Sequence, residues 1–111
     1  MNDHLSDFEL YVMLAVAAFK GDAYAVVITD RISERTGRDV SLGAVYATLG
    51  RLADKGLVRF SLSAPEPVRG GRARKLVALT PAGARAVRHT TESLARMLEG
   101  VTLNPATGAR R

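Results

Sequence analysis

The segment from Ser41 to Lys75 constrains the chain more than any other, because it demands two structural periods in immediate succession. Its opening carries Leu42, Val45, Leu49, Leu52 and Ala53 at three- and four-residue spacing, which sets one apolar stripe along a helix. Ser41 offers a side-chain oxygen to the free N–H groups of the first turn, and Lys55-Gly56 closes the last. The other side holds Gly43, Ala44, Ala47, Thr48 and Arg51, small or polar residues that let the helix lie close to a second surface. From Val58 the period changes to two. Val58, Phe60 and Leu62 alternate with Arg59 and Ser61, the pattern of a half-buried strand. A turn-rich stretch containing Gly70-Gly71 follows, flanked by Arg69, Arg72, Arg74 and Lys75, and the apolar run from Leu76 to Leu79 brings the chain back. A slim helix followed by a hairpin with a cationic tip is what a duplex reader of the winged helix-turn-helix type requires.

The rest of the chain reads as support for that pair. Ser6-Asp7-Phe8-Glu9 forms a capping box, with Leu5 and Leu10 placed as a hydrophobic staple around it. From Phe8 to Phe19 only Glu9 is polar, so this first helix needs cover on more than one side. Gly21 ends it, and Asp22 is positioned to cap a second helix whose stripe is Tyr24, Val27, Ile28 and Ile32. Gly37 closes that helix, and the short link Arg38-Asp39 leads through Val40 to the Ser41 cap, a helix-turn-helix spacing. After the hairpin, Thr80-Pro81 starts a last helix running to about Glu99. Along it Val87, Thr91, Leu94, Leu98 and Val101 alternate in steps of four and three, a short coiled-coil seam. The first and last helices thus carry excess apolar surface, and a second copy of the chain would cover both. The expected fold is mainly α with a small β-hairpin (α+β), a winged helix-turn-helix in the order α-α-α-β-β-α. Residues 1–101 form the one domain, its dimerisation helix spans about 81–100, and residues 102–111 form a disordered tail.

Composition narrows the function classes. A chain of 111 residues holds one core. It has no cysteine, which removes disulfides, thiolate chemistry and cysteine-bound zinc. His4 and His89 lie far apart, and no metal site or cofactor is expected. The N-terminal apolar run is too short for a membrane span and lacks the basic lead of a secretory signal, so a cytoplasmic location is expected. Acidic residues fall on solvated helix faces and Gly70-Gly71 lies in a hairpin, not a phosphate loop, so no catalytic site is expected. Charge is unevenly spread: residues 1–55 carry a net −2 and residues 56–111 a net +7. Basic charge gathered on the hairpin and beyond points to a polyanionic partner.

At this point the chain resembles the PadR family of transcriptional regulators. The resemblance rests on Leu10 to Leu14, Ala23-Tyr24, the run Ser41-Leu42-Gly43-Ala44-Val45-Tyr46-Ala47-Thr48-Leu49, and Arg51-Leu52. Lys55-Gly56-Leu57-Val58, Gly70-Gly71-Arg72 and Leu79-Thr80-Pro81-Ala82-Gly83 continue it in order, over roughly residues 5–100. It implies a winged helix-turn-helix dimer of the compact branch, with a single C-terminal helix, that binds operator DNA, usually as a repressor. It also implies release by a small aromatic or hydrophobic effector. Many relatives carry proline after the recognition-helix tyrosine, where this chain has Ala47.

The residues expected to meet DNA are Ser41, Gly43, Ala44, Tyr46, Ala47, Thr48 and Arg51 on the helix, and Arg69, Arg72, Arg74 and Lys75 on the wing. Arg72, beside the glycine pair, is the foremost of these. Ala47 and Thr48 are placed for a thymine methyl, and few donors here could read guanine, so DNA shape and phosphate contacts carry more of the recognition. Tyr46 stands at the edge of the apolar stripe, where its hydroxyl could reach a phosphate or its ring could simply pack inward. Phe8, Tyr11, Val12, Ala15, Val87, Leu94, Leu98 and Val101 are the expected dimer interface or effector pocket. Beside the operator-binding reading stands a second, a winged-helix module for protein–protein contacts with no specific hold on DNA.

Overall fold

The computed structural model describes residues 4–63 and 73–103. Its elements are α1 (Asp7–Ala18), α2 (Ala25–Thr36), α3 (Leu42–Asp54), β1 (Val58–Leu62), β2 (Lys75–Leu79) and α4 (Pro81–Leu98), the order expected from the sequence. β1 and β2 pair antiparallel, with Val58 opposite Leu79, Phe60 opposite Val77 and Leu62 opposite Lys75.

Three caps start three helices as their sequences dictate. The Ser6 hydroxyl accepts from the Glu9 N–H at 3.2 Å while Glu9 Oε1 accepts from the Ser6 N–H at 2.9 Å, completing the reciprocal box of α1. Ser41 Oγ accepts from the Ala44 N–H at 3.1 Å, and Thr80 Oγ1 from the Gly83 N–H at 3.0 Å. The start of α2 differs from expectation. Tyr24, not Asp22, is its N-cap, and no side chain caps it. The cause is tertiary: the Val77 N–H donates to the Ala23 carbonyl at 2.9 Å, making an isolated antiparallel bridge that holds residue 23 extended. The chain cannot turn helical until that bridge is behind it.

The core lies where α1, α2, α3 and the inner face of the hairpin meet. Val12, Met13, Ile28, Val45, Leu49, Leu52 and Val77 are buried there. Their packing answers the all-round apolarity of α1 only in part: Leu14 is 41% exposed. In α4, Gly83, Ala86 and Thr90 face the core, whereas Leu94, Met97 and Leu98 project from it. The helix ends at Leu98, so Val101 belongs to the irregular chain beyond it and not to the helical seam. Leu42, expected in the α3 stripe, is 39% exposed because it opens the first turn, before the helix reaches α1 and α2. Residues 102–103 are described as irregular chain, and the expected disorder of the tail otherwise concerns 104–111, outside the described residues. Among the described residues no helix is long and apolar enough to cross a membrane.

Glu9 joins two ends of this architecture. Beyond its capping role, its Oε2 accepts from the Lys55 ammonium at 3.0 Å, tying the first turn of α1 to the C-cap of α3. Burial opposes the charged carboxylate, but the Ser6 N–H and the Lys55 ammonium together outweigh it and hold the pKa below the usual value. A depressed carboxylate pKa contributes stability that is present above the ordinary glutamate range and is lost as pH falls through the lowered value. Glu9→Gln is therefore expected to cost about 1–2 kcal/mol at neutral pH, toward the lower end because Lys55 is half exposed. Urea unfolding of both proteins should show this gap closing on acidification. A gap that stays constant down to strongly acid pH would remove the charge from the explanation.

Candidate nucleic-acid interface

The outward side of α3 is defined by what its stripe buries. Val45, Leu49 and Leu52 point into the core, which leaves Ser41, Gly43, Ala44, Tyr46, Ala47 and Arg51 exposed along one side of the helix. Among the described residues, no heavy atom outside its own helix lies within 4 Å of a Cβ built on Gly43, so this face is open as well as slim. Tyr46 is 54% exposed and lines a surface cavity together with Leu49 and Phe60. Thr48 departs from expectation. It is 1% exposed, one turn on from Val45 and beside Leu49, and so lies inside the stripe and out of reach of a thymine methyl. Its hydroxyl accepts from Arg51 Nη2 at 3.0 Å, which draws the Arg51 guanidinium along its own helix.

The wing approaches the same side. Arg74 and Lys75 are exposed at the start of β2, and Ser63 and Arg74 exchange hydrogen bonds that fix this end of the hairpin: Arg74 N–H to Ser63 Oγ at 2.7 Å and Ser63 N–H to the Arg74 carbonyl at 2.8 Å. Arg69 and Arg72, with Gly70-Gly71, lie outside the described residues. The Arg74 guanidinium carbon sits 4.8 Å from the centre of the Tyr24 ring, and the Lys75 ammonium 4.2 Å from that of Phe60. Sequence spacing gave no sign of these partners, because Tyr24 reaches the wing only through the Ala23–Val77 bridge.

Expectations for the first helix need correction. Val12 is 0% exposed inside the chain's own core and cannot line an interface, whereas Ala15, 3% exposed, borders with Tyr11 and Leu14 a surface cavity of about 300 Å³ against Arg31, Ile32, Arg35 and Thr36 of α2. Phe8 and Tyr11 are half-buried, with the Arg38 guanidinium 5.6 Å from each ring centre and 3.3 Å from the Asp7 carboxylate. These two rings hold Arg38 in the link between α2 and α3, and Tyr11 also borders the cavity against α2. Val87 packs half-buried on the core, while Leu94, Leu98 and Val101 are 53%, 48% and 51% exposed. A groove of about 350 Å³ between the start of α1 and the second half of α4 is lined by Leu5, Leu10, Thr90, Leu94 and Met97 among others, and by none of the four α1 residues expected there. Among the described residues no three His, Cys, Asp or Glu side chains gather as a metal site would require.

Two helices joined by a five-residue turn, the second presenting a slim exposed face, with a basic hairpin at its edge, define a winged helix-turn-helix protein of the DNA-binding kind. The sequence carries the assignment further. The PadR-like family of transcriptional regulators matches residues 13–89, well over half of the chain, and the chain belongs to that family. Its members are DNA-binding regulators and not enzymes.

Solved structures agree. A PadR-like transcription factor from Bacteroides fragilis is 27% identical, with a TM-score of 0.67 over 83% of this chain and 84% of that one. A complex structure of hsRosR-S4 is 26% identical, with a TM-score of 0.66 over 88% and 77%. Bacillus subtilis PadR in complex with operator DNA shares the fold at 19% identity, with a TM-score of 0.62 over 75% of this chain and 45% of that one. A comparison with curated proteins finds none that matches this chain.

Proposed function

We propose that this regulator is a dimeric, operator-binding repressor, cytoplasmic, whose hold on DNA is released by a small hydrophobic or aromatic molecule. The observation that carries the reading is the joint presentation of the slim α3 face and the cations Arg74 and Lys75 on one side of the molecule. B. subtilis PadR, which shares this fold, was solved on operator DNA. Ser41, Gly43, Ala44, Tyr46, Ala47 and Arg51 face the groove, and Arg69, Arg72, Arg74 and Lys75 meet phosphates or the minor groove. Leu94 and Leu98 join the two copies, and the effector occupies the seam between α1 and α4.

With few side chains suited to bidentate base reading, affinity depends heavily on phosphates. Neutralising about six per dimer gives a slope of log K against log salt of roughly −5. Selection of bound genomic fragments by the purified protein, followed by titration of the enriched duplex at several salt concentrations, tests this. The expected outcome is a pseudo-palindrome with half-sites about one helical turn apart and that steep slope. Failure to retain any duplex at low salt would instead favour a protein–protein module.

A further inference from the structure

The α3–wing seam contains a slot of about 220 Å³ whose walls are unlike the rest of the DNA-facing side. Tyr46 forms one wall, from α3, and Arg74 and Lys75 form the other, from the wing. Behind the cations stand two aromatic rings that belong to neither reading element's exposed face. Tyr24 is the N-cap of α2, brought here by the bridge between Ala23 and Val77. Phe60 is the residue of β1 opposite Val77, on the face turned toward the core. Both rings are half-buried and fixed by backbone pairing at or beside their own positions, so each offers a stationary face.

A cation held over such a face keeps its remaining N–H donors directed away from the ring. Lys75 meets no carboxylate within ion-pair distance among the described residues. Long basic side chains on a hairpin otherwise lose substantial rotamer freedom when they settle on a ligand, and rings that hold them beforehand remove part of that loss. The slot is lined by two cations, the two phenols of Tyr24 and Tyr46, and a mostly apolar floor that includes Phe60, Leu49 and Val77, and at about 220 Å³ it has room for a tetrahedral oxyanion.

We propose that Tyr24 and Phe60 are positioning residues, whose ring faces hold the Arg74 guanidinium and the Lys75 ammonium around a slot beside Tyr46 that seats one backbone phosphate of the DNA duplex. This rests on the operator-binding reading and adds to it a defined phosphate seat and two residues that do not themselves need to touch DNA. It also gives Tyr46 a role set by its place in the wall: its side chain, 54% exposed, closes the seat from the α3 side.

The test uses the full-length protein and its selected duplex, in which each backbone phosphate in turn is replaced by an uncharged methylphosphonate. For the wild type, one position in each half-site should cost about fivefold or more in affinity. Tyr24→Leu and Phe60→Leu should each bind the unmodified duplex about two- to fivefold more weakly and lose sensitivity at that same position, keeping it elsewhere. Tyr24→Phe, which preserves the ring face, should behave as wild type. Melting curves establish that each variant is folded at the binding temperature, and Phe60→Tyr replaces Phe60→Leu if the latter is not, with wild-type sensitivity expected of it. Leucine variants that keep full sensitivity at that phosphate would overturn the positioning role while leaving operator binding intact. A wild type that retains no duplex would overturn both.

Discussion

Gly83→Ala is expected to destabilise the protein by about 3 kcal/mol, at the upper end of what overpacking usually costs, with a fall in melting temperature of roughly 10–20 °C. Helix propensity argues the other way, since alanine is favoured over glycine by about 1 kcal/mol inside a helix. Sterics decide the sign. A Cβ at position 83 would collide with the carbonyl oxygen of Leu57, and would lie 2.9 Å from the carbonyl carbon and 3.0 Å from Met13 Cε. The obstructing atoms are mostly backbone, which no rotamer change can clear. That carbonyl also accepts from the Thr80 N–H at 3.1 Å, while the Thr80 hydroxyl donates to the Gly56 carbonyl at 2.6 Å. The start of α4 is thus pinned to the end of the α3–β1 turn, and the two cannot separate without breaking both bonds. Gly50→Ala is the control. That glycine lies within α3, with no described residue outside its own helix within 4 Å of where a Cβ would stand, and the substitution should leave stability unchanged or raise it by up to about 1 kcal/mol. Thermal melts should fall well below wild type for Gly83→Ala and stay level or rise for Gly50→Ala, and a Gly83→Ala protein that melts at or above wild type would refute the packing argument.

The contrast between these glycines marks where sequence reading stops. Signals confined to one turn were legible: the Ser6–Glu9 box, the Ser41 cap and the Thr80-Pro81 start all specify their helices through bonds spanning three residues. Period was equally informative, since the change from the α3 stripe to the β1 alternation placed the helix–wing junction. What failed was set by contacts distant in sequence. Asp22 lost the α2 cap to a bridge with a residue of β2. Glu9 finds Lys55 forty-six positions away, and Tyr24 and Phe60 acquire their cations only when the hairpin folds back. Thr48 is a different case. Val45, Thr48, Leu49 and Leu52 complete a regular stripe, and the polar label of threonine hid a position that periodicity marks as buried. For α1 the all-round apolarity correctly demanded cover, but which side its own chain would supply depended on where α2 and α3 dock. They take Val12, while Ala15 borders a cavity against α2.

Leu94→Asp combined with Leu98→Asp should yield a folded monomer that binds the two-half-site duplex about a hundredfold or more weakly than the wild type, yet binds an isolated half-site nearly as well as one wild-type protomer does. The fold should tolerate the change because both leucines are about half exposed, and α4 is anchored to its own core through Gly83, Ala86 and Thr90, all in its first ten residues. The exposed stripe continues through Met97, at 75%. Pairing this surface with a second copy offers a burial that a lone chain cannot achieve, and carboxylates in its centre would oppose that pairing by desolvation and mutual repulsion. Joining two readers turns the second half-site contact into an intramolecular step, a gain of roughly 10²–10⁴ in affinity that vanishes when the link is cut. Sedimentation would report the association state and fluorescence anisotropy the two affinities. A variant that stays dimeric would move the interface elsewhere on the chain. One that becomes monomeric but retains wild-type affinity for the full operator would show that a single wing and helix suffice, since the loss assigned to linkage depends only on the number of readers and leaves every DNA-facing side chain untouched.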